Sequence, residues 1–326
     1  HKTVRRQRQM CIRDRCEAVA NHLMKTSNIS VSPENVLITP GAKQALLYSY
    51  MTVLNPGDEA ILLSPSWASY EPMISIIGGV PVNVPVDRKN FHPDMDAIRS
   101  SITNRTRMIM VNSPCNPTGA VYTREEIEEI VSIAIEHDLW IISDEIYSRL
   151  IWNGGEHVSP ATIEGGKERT IVISGWSKTW AMTGMRVGFL AGPEQAVRAA
   201  VKCQANSASH IPTFMMEAAR VALDCDDHVE RFSDAYRQRR KLMVQGLEDI
   251  PGLRIVNPEG AFYLFIDVSG TGMSDVEFAD GALEAGVQLI PASLITGGEG
   301  FIRVSYAASE EDIKEGISRL RSWLLQ

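Results

Sequence analysis

From Val36 onward, short runs of β-branched and apolar residues alternate with longer stretches of helical patterning. The short runs are Val36 to Thr39, Ala60 to Ser64, Met108 to Asn112, Trp140 to Ser143, Thr170 to Ser174 and Val187 to Ala191. Between them, Lys43 to Val53, Tyr70 to Ile77, Arg124 to His137 and Thr213 to Leu223 read as helices. Thr123 followed by Glu126 forms a capping-box start for the third. Such alternation predicts an α/β fold, a mostly parallel sheet sandwiched by helices on both faces.

The pattern changes after Asp227 to Glu248, a charged stretch rich in helix formers and long enough to leave one domain and enter another. Beyond it, Ala261 to Asp267, Val287 to Ile290 and Phe301 to Tyr306 read as strands, and Ser274 to Ala285 and Glu310 to Leu324 as helices. The expectation is a large domain over residues 16–235 and a smaller α+β C-terminal domain over 236–326.

The 326 residues, 44% of them hydrophobic, suffice for a sizeable core, and no apolar run is long enough for a membrane span. Five scattered cysteines, Cys11, Cys16, Cys115, Cys203 and Cys225, lack Cys-x-x-Cys spacing. They indicate neither a disulfide framework nor a zinc site, and fit a reducing cytoplasm. A net charge of -8 argues against non-specific nucleic-acid binding. That charge is unevenly spread, because residues 1–15 hold six Lys or Arg against one acid. The segment reads as a nucleic-acid arm, a targeting remnant or translated adapter sequence; we treat it as foreign or disordered and outside the functional argument.

In open α/β sheets, ligands bind beyond the carboxyl ends of the strands. There the chain places Asn112-Ser113-Pro114-Cys115-Asn116-Pro117-Thr118-Gly119, then Asp144-Glu145-Ile146-Tyr147, then Ser174-Gly175-Trp176-Ser177-Lys178-Thr179. Taken singly, Asp144 reads as a helix cap, Lys178 as a surface lysine, Asn116-Pro117 as a turn and Tyr147 as a half-buried aromatic. Their convergence on one sheet edge favours a site. A lysine between small hydroxyl residues, eight positions before Arg186, suits a buried amine beside a phosphate.

These motifs, in order and spacing, resemble the class I/II aminotransferases of pyridoxal-phosphate fold type I, from about Cys16 to the C-terminus. The resemblance implies that Lys178 carries the cofactor pyridoxal 5'-phosphate as a Schiff base. It also implies that Asp144 pairs with the pyridine nitrogen, while Asn116 and Tyr147 hydrogen-bond the ring hydroxyl oxygen. Lys178, Asp144 and Tyr147 are thus the expected catalytic residues. The turn Thr39-Pro40-Gly41-Ala42-Lys43 starts a helix after a strand, where free N–H groups hold anions. By resemblance Gly41, Ala42 and Lys43 join Ser177 and Arg186 around the phosphate, and Trp67 stacks on the ring. Arg303, a lone arginine in an otherwise apolar strand, needs an anion: an internal carboxylate by its pattern, the substrate α-carboxylate by resemblance, with Asn116 beside it.

Gly175 departs from the family pattern where many relatives carry a polar phosphate ligand, and Met185 where many carry Trp. Relatives also carry a longer stretch before Cys16, so the chain reads as N-terminally truncated. The implied reaction moves an amino group from an L-amino acid, aspartate or a broad range, to a 2-oxo acid such as 2-oxoglutarate. A carbon-sulfur lyase or synthase on the same fold and an effector-binding module are the alternatives. A homodimer, without metal, nucleic acid or membrane, is the expected form.

Overall fold

The computed structural model describes residues 2–152, 154–295 and 297–325. The chain opens with helix α1 (Lys2–Ser27), then β1 (Val36–Thr39), α2 (Ala42–Val53), β2 (Glu59–Ser64), α3 (Tyr70–Ile76) and β3 (Val80–Pro85). Next come α4 (Met95–Ser100), β4 (Thr106–Asn112), α5 (Arg124–Glu136), β5 (Trp140–Asp144), β6 (Thr170–Gly175), the single turn α6 (Trp176–Thr179) and β7 (Gly188–Ala191). Helices α7 (Glu194–Ser207), α8 (Thr213–Ala222) and α9 (Asp226–Leu247) follow. The last part holds β8 (Arg254–Ile255), β9 (Tyr263–Asp267), α10 (Asp275–Glu284), β10 (Ile290–Pro291), β11 (Phe301–Ser305) and α11 (Glu310–Leu324).

The first seven strands form one sheet in the order β1-β7-β6-β5-β4-β2-β3. The run from β3 through β6 is parallel, while β7 lies antiparallel between β6 and β1. Ile109, Ile141, Val111 and Ile61 face one apolar cluster, with α5 packed there through Ile127, Ile130 and Ala134. Met108, Met110, Ile142 and Ile173 face the other, where α2 contributes Ala45 and Leu46. Burial on both faces explains why these strands are apolar throughout instead of alternating.

A four-stranded antiparallel sheet, β10-β11-β9-β8, forms the second unit, with α9 and α11 packed together beside it. Its core, built on Leu264, Ile302, Val304 and Ile317, is continuous with Ile146, Tyr147 and Leu150 of the first unit. The anticipated boundary between residues 235 and 236 falls inside α9, which runs through it without a break.

Helices α4 and α7 and strand β8 were not anticipated, and β10 covers Ile290–Pro291 where the pattern placed Val287 to Ile290; two further features differ from the sequence pattern. Strand β3 was not foreseen, because Pro81 and Pro85 interrupt the signal; it occupies the sheet edge, the place where proline is tolerated. Residues 2–15, set apart as foreign or disordered, are helical and continuous with the docked part of α1. Lys, Arg, Gln and Met favour helix, and the same helix anchors itself through Val19, Leu23 and a buried Arg15 that reaches Glu217 at 3.4 Å.

Candidate active site

The carboxyl ends of β4, β5 and β6 and the N-terminus of α2 enclose a cleft of about 250 Å³. Ala42, Lys43, Trp67, Asn116, Asp144, Tyr147, Ser177, Lys178, Arg186 and Arg303 all line it. Ten of the eleven residues singled out from the sequence thus meet in one cleft, and Gly41 lies directly beneath the Arg186 guanidinium.

Asp144 ends β5 with its carboxylate fully enclosed. Its Oδ2 accepts from the Tyr70 hydroxyl at 2.7 Å, and its Oδ1 from the Ile146 amide at 3.2 Å. Burial pushes its carboxyl up to about 6, with the neighbouring Glu145 adding to the rise; the Tyr70 and Ile146 hydrogen bonds and the Lys178 charge oppose it. No ion pair to Asp144 occurs among the described residues. A buried carboxylate held only by neutral donors favours an incoming cation.

Lys178 projects from α6 over aromatic walls, its Nζ 5.2 Å from the Phe262 ring centroid and 5.9 Å from that of Tyr147. Burial drives its amine below the ordinary lysine range, and Arg303 and Arg186 add to the fall while Asp144 opposes it. A lysine so placed spends more of its time as a free amine, the form that attacks carbonyl groups.

Asn112 fastens this region. Its Nδ2 donates to the Asp144 carbonyl at 2.9 Å, while its Oδ1 accepts from the Asn116 amide at 2.9 Å. The Asn116 side chain in turn accepts from Arg303 Nη1 at 3.0 Å, leaving its own Nδ2 as a donor. Arg303 stands 4.9 Å from the Tyr263 ring centroid, and the Tyr263 and Tyr147 hydroxyls are hydrogen-bonded at 3.0 Å. The internal carboxylate that the pattern left open for Arg303 is not found among the described residues.

Arg186 adopts a left-handed backbone and donates from Nη1 to the Thr183 carbonyl at 2.9 Å. Gly41, at φ +86°, leaves room for it: a Cβ there would lie 2.5 Å from Arg186 Nη2. The first amides of α2 have no intrahelical partner and open beside this guanidinium. Gly175 has a steric reason to depart from the family pattern, since a Cβ would sit 2.8 Å from the Val187 carbonyl oxygen. The Lys43 ammonium turns elsewhere, bonding Ser69 Oγ at 3.0 Å and lying 4.8 Å from the Trp67 ring centroid.

Six lining residues, Leu46, Tyr70, Asn112, Ile146, Thr183 and Tyr263, were not singled out from the sequence, and of these Tyr70, Asn112 and Tyr263 place polar side-chain groups in the site's hydrogen bonds. Tyr70 and Tyr263 open a helix and a strand, positions that look like ordinary core aromatics. For Asn112 there was a signal: an amide at the carboxyl end of a central strand, where apolar residues otherwise prevail.

The family model for aminotransferase class I and II matches residues 10–320. The chain belongs to the class I and II aminotransferases. It is 40% identical over 308 residues to the aspartate/prephenate aminotransferase of Thermus thermophilus, covering 93% of this chain and 79% of that one. Identity to aromatic-amino-acid aminotransferase 2 of Thermococcus litoralis is 39%, over 94% of this chain and 81% of the relative. The solved structure of Thermus thermophilus aspartate aminotransferase with maleate superposes with a TM-score of 0.91 at 38% identity, covering 96% of this chain and 82% of that one.

Class I and II aminotransferases use pyridoxal 5'-phosphate, and this chain is an aminotransferase of that kind. The cleft fits the cofactor on its own terms. It offers an amine of depressed basicity, an enclosed carboxylate without a cation, and a guanidinium beside free helix amides.

Proposed function

We propose that this aminotransferase takes its amino group from aspartate, alone or within a broad range of L-amino acids, and passes it to 2-oxoglutarate. Similarity supports aspartate: the Thermus thermophilus relative, 40% identical, is an aspartate/prephenate aminotransferase, and Arg303 leaves one guanidinium in the cleft for a substrate carboxylate. When bound, pyridoxal phosphate supplies a carbonyl that captures amines and a ring that accepts electrons from the substrate α-carbon.

The chain's own groups do the rest. Lys178 Nζ would hold the cofactor and, as a free amine, would move the α-proton; general acid/base transfer of this kind gives about 10² to 10⁴-fold. Asp144, as a carboxylate, would pair with the ring nitrogen and favour its protonated form. Asn116 Nδ2 and the Tyr147 hydroxyl would donate to the ring hydroxyl oxygen. Arg186, Ser177 and the amides of Ala42 and Lys43 would hold the phosphate, as a guanidinium at a helix N-terminus is suited to do, while Gly41, whose amide donates to the Thr39 carbonyl, would leave room for the guanidinium. Trp67 flanks the ring, and Arg303 binds the substrate α-carboxylate.

The observation carrying this reading is the meeting of a depressed lysine amine and an unpaired buried carboxylate in one cleft. It is tested by assaying a panel of amino donors with 2-oxoglutarate. A keto acid formed with glutamate, and lost in Lys178→Ala, is the expected result; pyruvate and ammonia released from a cysteine conjugate would overturn it in favour of a lyase. We also read the enzyme as a cytoplasmic homodimer. Free thiols at Cys16, Cys115, Cys203 and Cys225 support a reducing compartment, and exposed Phe214 and Val221 on α8 support a covered surface. Among the described residues no helix is long and apolar enough to cross a membrane.

A further inference from the structure

Tyr263, like Asn116, touches both halves of the proposed machinery, and no role has yet been given to it. Its ring belongs to β9, whose register sets Tyr263 opposite Ser305 and Phe265 opposite Arg303. Tyr263 and Arg303 are therefore diagonal neighbours on one face of the pair, close enough for an aromatic ring to support a guanidinium. The separation is 4.9 Å. Its hydroxyl, at the far end of the same ring, meets the Tyr147 hydroxyl from the other unit of the molecule at 3.0 Å.

Each hydroxyl has one proton to give. If Tyr147 donates its proton to the cofactor ring oxygen, its own oxygen must accept from Tyr263, so the pair acquires a direction. A donor that itself accepts a hydrogen bond is polarised and donates more strongly. Packing does not require that hydroxyl: the other aromatics in β9 and its approach, Phe262 and Phe265, are phenylalanines, both buried. Only at 263 does the aromatic carry an oxygen, and there it is enclosed with its partner.

We propose that Tyr263 is a positioning residue that links substrate recognition to the cofactor, its hydroxyl directing the Tyr147 proton and its ring supporting Arg303. The inference rests on the roles given above to Tyr147 and Arg303. It predicts that the two functions separate by substitution. Tyr263→Phe keeps the ring and removes the proton, whereas Tyr263→Leu removes both.

The test uses the full chain loaded with pyridoxal phosphate and follows its visible absorption against pH, together with steady-state kinetics. With Tyr263→Phe, a weaker donor stabilises the anionic ring oxygen less, so the absorption midpoint moves to higher pH. The move expected for one hydrogen bond is about half a unit to one unit. In the same variant KM for the amino donor stays within about twofold of the parent, while Tyr263→Leu raises it about threefold to tenfold. An unmoved midpoint in Tyr263→Phe overturns the proposal, as does a KM rise in that variant equal to the one in Tyr263→Leu. Should Tyr263→Leu fail to fold, the midpoint in Tyr263→Phe decides alone. A visible band that depends on Lys178 but ignores Tyr263→Phe sinks this inference only. Absence of any Lys178-dependent band sinks the underlying reading and this inference with it.

Discussion

Asp144 shows what a single residue costs when it is placed for chemistry. Its carboxyl is raised from 3.8 to about 6 by burial, so in the cofactor-free folded state it keeps its proton up to about pH 6 and ionises above that at a cost. The folded value lies above the unfolded one, so this contribution favours the fold below pH 4 and is lost as pH rises through about 6. A shift of that size corresponds to about 3 kcal/mol. Asp144→Asn, which still accepts from Tyr70, should therefore make the cofactor-free protein more stable at pH 8 by up to about 3 kcal/mol and change little at pH 4. Urea denaturation at the two pH values measures this; equal effects at both would show that Asp144 is not strained. Stability would be gained at the expense of activity, as is common at sites under functional constraint. At this scale Lys178, Asp144, Asn116 and Arg186 were legible because each stands in a short run with its own chemistry. Tyr70 and Tyr263 were not, because their meaning lies in partners 74 and 116 positions away.

Among the elements, α5 was read most completely. The capping box between Thr123 and Glu126 is present, with the Thr123 amide donating to Glu126 at 2.7 Å. What the pattern did not reveal is that Glu126 also holds His92 at 2.8 Å, and that His92 reaches Glu259 at 3.3 Å on its other side. Hydrogen bonding to Glu126, then to Glu259, raises the imidazole from 6.5 to about 9 against a desolvation that lowers it. The folded value again exceeds the unfolded one, so the bridge stabilises fully below pH 6.5 and fades as pH rises through about 9. The two carboxylate partners are partly exposed, Glu259 by 45%, so the contribution is discounted to ~1 kcal/mol. His92→Gln should lose that amount at pH 6 and almost nothing at pH 10, read from thermal or urea unfolding at each pH. A loss that persists at pH 10 would assign His92 a packing role instead. Strand β3 marks the opposite case, since its prolines and exposed edge erase the alternation that identifies a strand.

For the whole molecule, the change of pattern after α9 was legible as a second unit, yet the junction was not. Helix α9 spans it, and residues 258–260 are laid against the loop that carries Asn116: the amides of Glu259 and Gly260 both donate to the Gly119 carbonyl. Gly119 stands at φ +75°, and a Cβ there would lie 2.5 Å from Pro258 Cβ. Gly119→Ala should thus destabilise by about 1 to 3 kcal/mol and raise KM, because it pushes the Asn116 loop away from the unit that bears Arg303. Unfolding and donor kinetics together check this; an unchanged KM with lowered stability would confine Gly119 to the fold. The most direct measurement of the central claim is covalent. Pyridoxal phosphate is added to the purified protein, the bond it forms is reduced with borohydride, and the modified peptide is identified by mass spectrometry. The account predicts a single adduct on Lys178, absent from Lys178→Ala; an adduct on another lysine, or none, would contradict it.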